Sequence, residues 1–142
     1  MNKYDVKTAI LVDGGFYRRR AYYYCGEKSP EERAEELYAY CMKLLHDKSD
    51  LTDADLKLNI EQKGVDMRIG IDIASLAYKK LVNQIILISG DSDFVPAAKQ
   101  ARREGIDFIL APMGATIKAD LFEHIDGLKN MTMQVEAVKT EE

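Results

Sequence analysis

Three apolar, β-rich runs, "TAILV" (8–12), "QIILIS" (84–89) and "IDFILAP" (106–112), are separated by stretches whose apolar residues recur at helical spacing. That alternation constrains the chain more than any other feature. A strand without polar alternation has to be buried on both faces, and strands joined through helices run parallel. The expectation is an α/β fold with a mainly parallel sheet covered on both faces. A length of 142 residues suits one domain, 1–142, large enough to bury its own core without a disulfide or structural metal.

The helical stretches carry their own signals. "SPEERAEELYAYCMKLLHDK" offers Ser29 as N-cap, Pro30 in the first turn and Glu32 for a capping box, with an apolar face of Ala34, Leu37, Tyr38, Cys41, Leu44 and Leu45. "GVDMRIGIDIASLAYKKLV" reads as a second helix with Ile69, Ile73, Leu76 and Ala77 inward. "PAAKQARREG" reads as a helix ended by Gly105, "IKADLFEHIDGL" as a short helix, and "MTMQVEAV" as an edge strand. The first strand is expected to open into a loop at Asp13-Gly14-Gly15, followed by the basic, aromatic "FYRRRAYYY" (16–24).

The pattern also places carboxylates. In open α/β sheets the functional crevice lies outside the carboxyl ends of the strands. Asp13 ends the first run, and Asp91 and Asp93 follow the second in "ISGDSDF". Asp66, in "KGVD" at the start of the second predicted helix, faces the same edge if the strands are neighbours. Each has a structural explanation: Asp13 suits a turn with two glycines, and Asp66 and Asp93 suit helix N-caps. Together, though, four aspartates at one edge repel unless a cation neutralises them. A hard divalent ion such as Mg²⁺, which takes oxygen ligands and keeps several waters, resolves that repulsion. A calcium loop is excluded, because "DSDFVPAAKQAR" has Pro96 where an EF-hand needs its glycine and Arg102 where it needs its glutamate.

Charge narrows the partners. The net charge is −4, yet residues 1–30 carry six Lys/Arg against three acids. Arg18, Arg19 and Arg20 lie among tyrosines able to stack on unpaired bases, and begin close behind Asp13. A solvated surface loop is the plainer reading of the same stretch. No apolar run reaches membrane-span length, and the N-terminal stretch lacks a signal peptide's order, so the expected location is cytoplasmic. Cys25 and Cys41 have no metal-ligand spacing and read as reduced packing residues.

The segments "ILVDGGFY", "QKGVDMRIGIDIA" and "ILISGDSDFVPAAKQARREGIDFILAP" resemble, in this order, the NYN domain family, relatives of the PIN-domain nucleases that include the LabA-like bacterial proteins. The resemblance implies a three-layer α/β/α, PIN-like and Rossmann-like fold and a ribonuclease dependent on Mg²⁺ or Mn²⁺. By position, Asp13, Asp66, Asp91 and Asp93 match the family's acidic site, as metal ligands and catalytic residues; Asp72 is a weaker match. One departure stands out. Relatives carry a second strand and a long variable segment before KGVD, whereas only residues 44–62 intervene here, which implies a shortened or missing segment near 49–51.

The activity this implies is hydrolysis of a phosphodiester in RNA, single-stranded by the nature of the arginine–tyrosine stretch, by a protein able to form a homo-oligomer. Arg18, Arg19, Arg20, Lys63 and Ser89 are the candidates for holding substrate, with Arg68 a further source of charge. His46, His124, Arg102 and Arg103 lie outside the motifs. Two alternatives come from other classes. A non-catalytic PIN-like module would use the same surface to bind RNA or a protein. A haloacid-dehalogenase-type phosphatase needs a second aspartate two residues after the first, and here Gly14 and Gly15 follow Asp13.

Overall fold

The computed structural model describes residues 7–45 and 65–133. Its centre is a four-stranded, wholly parallel sheet in the order β1 (Thr8–Val12), β2 (Gln84–Ile88), β3 (Asp107–Leu110), β4 (Gly127–Leu128). The first three strands are those expected from the apolar runs, and β1 and β2 are neighbours. Their register pairs Val12 with Ile88, so both strands end at the same level.

Burial on both faces follows from side-chain alternation. Ile85 and Leu87 of β2 point into one core, with Phe108 and Leu110 of β3, Ile69, Ile73 and Ala77 of α3 (Val65–Tyr78), and Ala97, Ala98 and Ala101 of α4 (Val95–Arg103). Ile86 and Ile88 point into the other, against Phe16, Tyr17 and Ala21 of α1 (Gly14–Cys25) and Tyr40 and Leu44 of α2 (Pro30–Leu44). The layers are therefore α/β/α, as the PIN-like comparison implies. A short α5 (Ala119–Phe122) adds Leu121 to the first core. Among the described residues no helix is long and apolar enough to cross a membrane.

Three local expectations are corrected. The stretch after Asp13 is a helix, not a loop: the Asp13 carboxylate caps it by accepting from the Phe16 amide, and Phe16, Tyr17 and Ala21 give it a buried side. On α2 the Ser29–Glu32 capping box is present, but Tyr40 is buried and Ala34 exposed, since the inward face is turned by part of a turn from the expected one. The last strand is Gly127–Leu128; residues 131–133 are not in a strand, and the rest of "MTMQVEAV" lies outside the described residues. β4 is pinned from its flanks, where the Asp126 amide donates to Phe108 O at 2.7 Å and the Lys129 amide to Leu110 O at 2.9 Å. The Phe108 amide in turn donates to Asp126 Oδ2 at 2.8 Å. The segment near 49–51 also lies outside the described residues.

Candidate active site

The strands deliver three polar residues to one place. Asp13 follows β1 directly and Ser89 follows β2, and the ladder runs one step past the strands through the Asp13 amide, which donates to Ile88 O at 3.0 Å. Both side chains are buried, Ser89 completely. The Ser89 hydroxyl donates to Asp13 Oδ2 at 3.1 Å and accepts from the Asp91 amide at 3.2 Å. A single buried oxygen thus joins the ends of two neighbouring strands.

The carboxylates are fixed from their other sides. Asp13 Oδ1 accepts from the Phe16 amide at 3.2 Å, and Asp91 Oδ1 accepts from the Asp93 amide at 2.9 Å, capping a single 3₁₀ turn, Ser92–Phe94. Each carboxylate oxygen accepts about two hydrogen bonds, so capacity remains on both residues for a cation. Phe16 closes the arrangement from behind: a Cβ on Gly90 would lie 3.0 Å from its ring, so the loop that carries Asp91 packs directly on α1. Sequence reading missed the role of Phe16, whose signal is an aromatic three residues after a capping aspartate.

The remaining candidates divide. Asp93 is exposed beside Asp91. Asp66 is the second residue of α3, a helix that packs against the Ser92–Phe94 turn. The side chains of Asp66 and Arg68 and the whole of Lys63 and His46 lie outside the described residues. Asp72 is half-buried further along α3. The hydroxyl of Ser89, a candidate for contacting phosphate, has no exposed surface and is used between Asp13 and Asp91.

The three arginines have three different settings. Arg18 is exposed on α1. Arg20 is engaged by backbone, donating through Nε (3.2 Å) and Nη2 (3.0 Å) to the carbonyl of Met113, which also accepts from the Tyr24 hydroxyl at 3.0 Å. These bonds hold a residue in the left-handed region, Met113 at φ 52°, beside Gly114 at φ 79°. Arg19 is exposed, and its Nη1 reaches back over the first turn: a Cβ on Gly15 would lie 3.4 Å from it and 3.9 Å from Asp13 Oδ1. No ion pair closes that gap.

Burial and hydrogen bonding perturb titration where α1 meets α2. Burial opposes the charge of Glu36, but hydrogen bonds from Tyr17, Lys28 and Arg33 outweigh it and hold the carboxyl below its ordinary range. Tyr17 donates to Glu36 Oε1 at 2.8 Å and Arg33 Nη1 lies 2.9 Å from the same oxygen, with Lys28 Nζ 3.2 Å from Oε2. That part-buried cluster staples α1 to α2. Burial also pushes Tyr17, Tyr40 and Cys41 upward, Cys41 to about 11. A surface concavity of about 450 Å³ lined by Lys99, Arg102, Arg103 and His124 shares no residue with the carboxylate site.

The NYN domain model matches residues 5–126, most of the chain and all of the site. The chain belongs to the NYN domain family. It is thereby a member of the PIN-like nuclease superfamily, whose nucleases generally use divalent metals. No curated protein matches it. Among solved structures, it is similar to a protein of unknown function from Vibrio parahaemolyticus, with a TM-score of 0.53 and 16% identity, over 94% of this chain and 97% of that one. At that identity the likeness bears on the fold alone.

Whether this NYN chain suits a metal is a matter of donor chemistry. Among the described residues no three His, Cys, Asp or Glu side chains are arranged around one ion. The donors at the strand ends are all oxygens: Asp13 and Asp91, coupled through Ser89, with Asp93 alongside. Mg²⁺ is commonly held by one or two carboxylates with water and substrate phosphate completing its shell, so this set fits a hard divalent ion and does not fit one that needs nitrogen or sulfur.

Proposed function

We propose that this NYN domain protein is a metal-dependent ribonuclease that hydrolyses phosphodiester bonds in single-stranded RNA. One observation carries the reading: Asp13 and Asp91, at the carboxyl ends of adjacent parallel strands, are joined through the buried hydroxyl of Ser89. A family of nucleases supplies the context.

Asp13 and Asp91 are the residues that would hold Mg²⁺ or Mn²⁺, with Asp66 and Asp93 completing or orienting the site. When bound, such an ion supplies positive charge to the developing phosphorane and makes water a stronger nucleophile at neutral pH. The protein's own part is positioning. The Phe16 amide and the Ser89 hydroxyl fix both oxygens of Asp13, and the Asp93 amide fixes Asp91, so the two carboxylates meet substrate without reorganising. No covalent nucleophile is required.

The test is cleavage of an end-labelled single-stranded RNA by the full chain in Mg²⁺ or Mn²⁺ and in EDTA, beside Asp91→Asn. Asparagine can still accept from the Asp93 amide, so the turn survives while a charge is lost. Cleavage is expected with metal alone and is expected to fall at least about a hundredfold in the variant, whose circular dichroism stays native. Equal rates for wild type and Asp91→Asn would overturn the reading.

A further inference from the structure

The outward side of α1 is occupied by residues that the acidic site does not use. Arg18 and Arg19 are exposed, and one turn on Tyr22 and Tyr23 are 63% and 72% exposed. Exposed tyrosines are ordinarily mobile, yet Tyr23 is held. The Arg20 guanidinium lies 5.0 Å from its ring centroid, and the Tyr24 ring meets it edge-on at 5.1 Å. Arg20 and Tyr24 are themselves anchored on the Met113 carbonyl. An aromatic surface is thus kept open to solvent and rigid.

Arg19 lies on the same side, four residues before Tyr23, and its guanidinium folds toward the N-terminal end of the helix, as helical side chains do. It makes no hydrogen bond or ion pair among the described residues. A methyl group on Gly15 would lie 3.4 Å from Arg19 Nη1 and 3.9 Å from Asp13 Oδ1, so the guanidinium rests over the first turn on the side of the Asp13 carboxylate. The space beside Gly14 is open, with nothing within 4 Å of where a Cβ would be. In a chain of net charge −4, the Arg19 guanidinium over the first turn, with Arg18 exposed on the same helix, offsets the repulsion that the acidic site exerts on an anion.

We propose that the outer face of α1 is the track for single-stranded RNA. Arg19, whose guanidinium lies over Gly15, takes the phosphate next to the one at the carboxylates, and Tyr23, with Tyr22 beside it, stacks an unpaired base one helical turn further on. Base stacking on an aromatic ring is open to every base, so the track selects for unpaired strands and not for sequence. A duplex, with its bases already stacked, has nothing to offer Tyr23. The track rests on the ribonuclease reading and adds to it the direction in which substrate leaves the site.

The experiment uses the full chain in an Asp91→Asn background with Mg²⁺, a fluorescently labelled twelve-nucleotide RNA, and anisotropy as the readout, with cleavage by the Asp91-containing protein run in parallel. Tyr23→Ala is expected to weaken binding about five- to a hundredfold and Tyr23→Phe to leave it unchanged. Arg19→Ala is expected to lower the slope of log affinity against log salt by about 0.7. Gly15→Ala is expected to weaken binding while melting at or above the parent temperature, because alanine is the better helix former. Duplex RNA is expected to compete poorly. If the Asp91-containing protein cleaves RNA but Arg19→Ala and Tyr23→Ala bind as the parent does, the track is wrong and the ribonuclease stands. Equal competition by duplex also overturns the track. If RNA is neither bound nor cleaved, the ribonuclease reading falls and takes the track with it.

Discussion

Ser89→Ala isolates the link between the two strand ends with the loss of one atom per molecule. The hydroxyl is fully buried, donates to the Asp13 carboxylate at 3.1 Å and accepts from the Asp91 amide at 3.2 Å. A hydrogen bond to a charged acceptor is worth about 1.5–3 kcal/mol and a neutral one about 1 kcal/mol. The variant no longer buries a hydroxyl, which returns part of that, and Asp13 keeps its bond from the Phe16 amide. The expected net loss is about 2 kcal/mol, or roughly 6–10 °C in a thermal melt at neutral pH for a chain of this size. A double-mutant cycle with Asp13→Ala sharpens the test: once the carboxylate is gone, Ser89→Ala is expected to cost less than half as much. Cleavage is expected to fall about 10–100-fold, as when a group that orients a ligand is removed. A melt within about 2 °C of wild type, or strictly additive losses in the cycle, would refute the coupling of the two strands through Ser89.

The arginines are expected to separate cleanly in stability. Arg20→Ala is expected to cost about 2 kcal/mol through its bonds to Met113, and Arg18→Ala less than about 0.5 kcal/mol, read from urea melts. For Glu36, whose folded pKa is lowered below the reference of 4.5, the stabilisation is present above that pH and is lost as pH falls through the folded value. Glu36→Gln is therefore expected to be roughly 2 kcal/mol less stable at pH 7, with the difference closing in acid unfolding below about pH 4.5. The Cys41 thiol, pushed up to about 11 by burial, is expected to resist alkylation at pH 8 in the native protein and to react on unfolding, as followed by mass spectrometry.

What the sequence made legible follows from burial. Strands buried on both faces leave continuous apolar runs, so β1, β2 and β3 could be read directly, and so could the aspartates that end or follow them. The capping box at Ser29 and Glu32 is local chemistry and appears unchanged in the structure. α1 was not legible as a helix, because Gly14 and Gly15 are poor helix formers and its start is set by Asp13, whose cap to Phe16 reads from sequence as a turn. β4 has two residues, too few for any period, and is held by neighbours rather than by its own composition. The division of labour within Arg18–Arg20 depends on helical phase, which turns Arg20 toward Met113 and leaves Arg19 above Gly15. Treated as a loop, the same three residues look equivalent.

If Asp13 and Asp91 act as one divalent-metal site, each carboxylate is needed for the ion to bind. Titrating Mn²⁺ into the wild type, Asp13→Asn and Asp91→Asn, with free Mn²⁺ followed by electron paramagnetic resonance, tests it without any RNA. A saturable site is expected in the wild type, weakened at least about tenfold in each variant while circular dichroism stays native. Wild-type affinity in both variants, or no binding in the wild type, would contradict it.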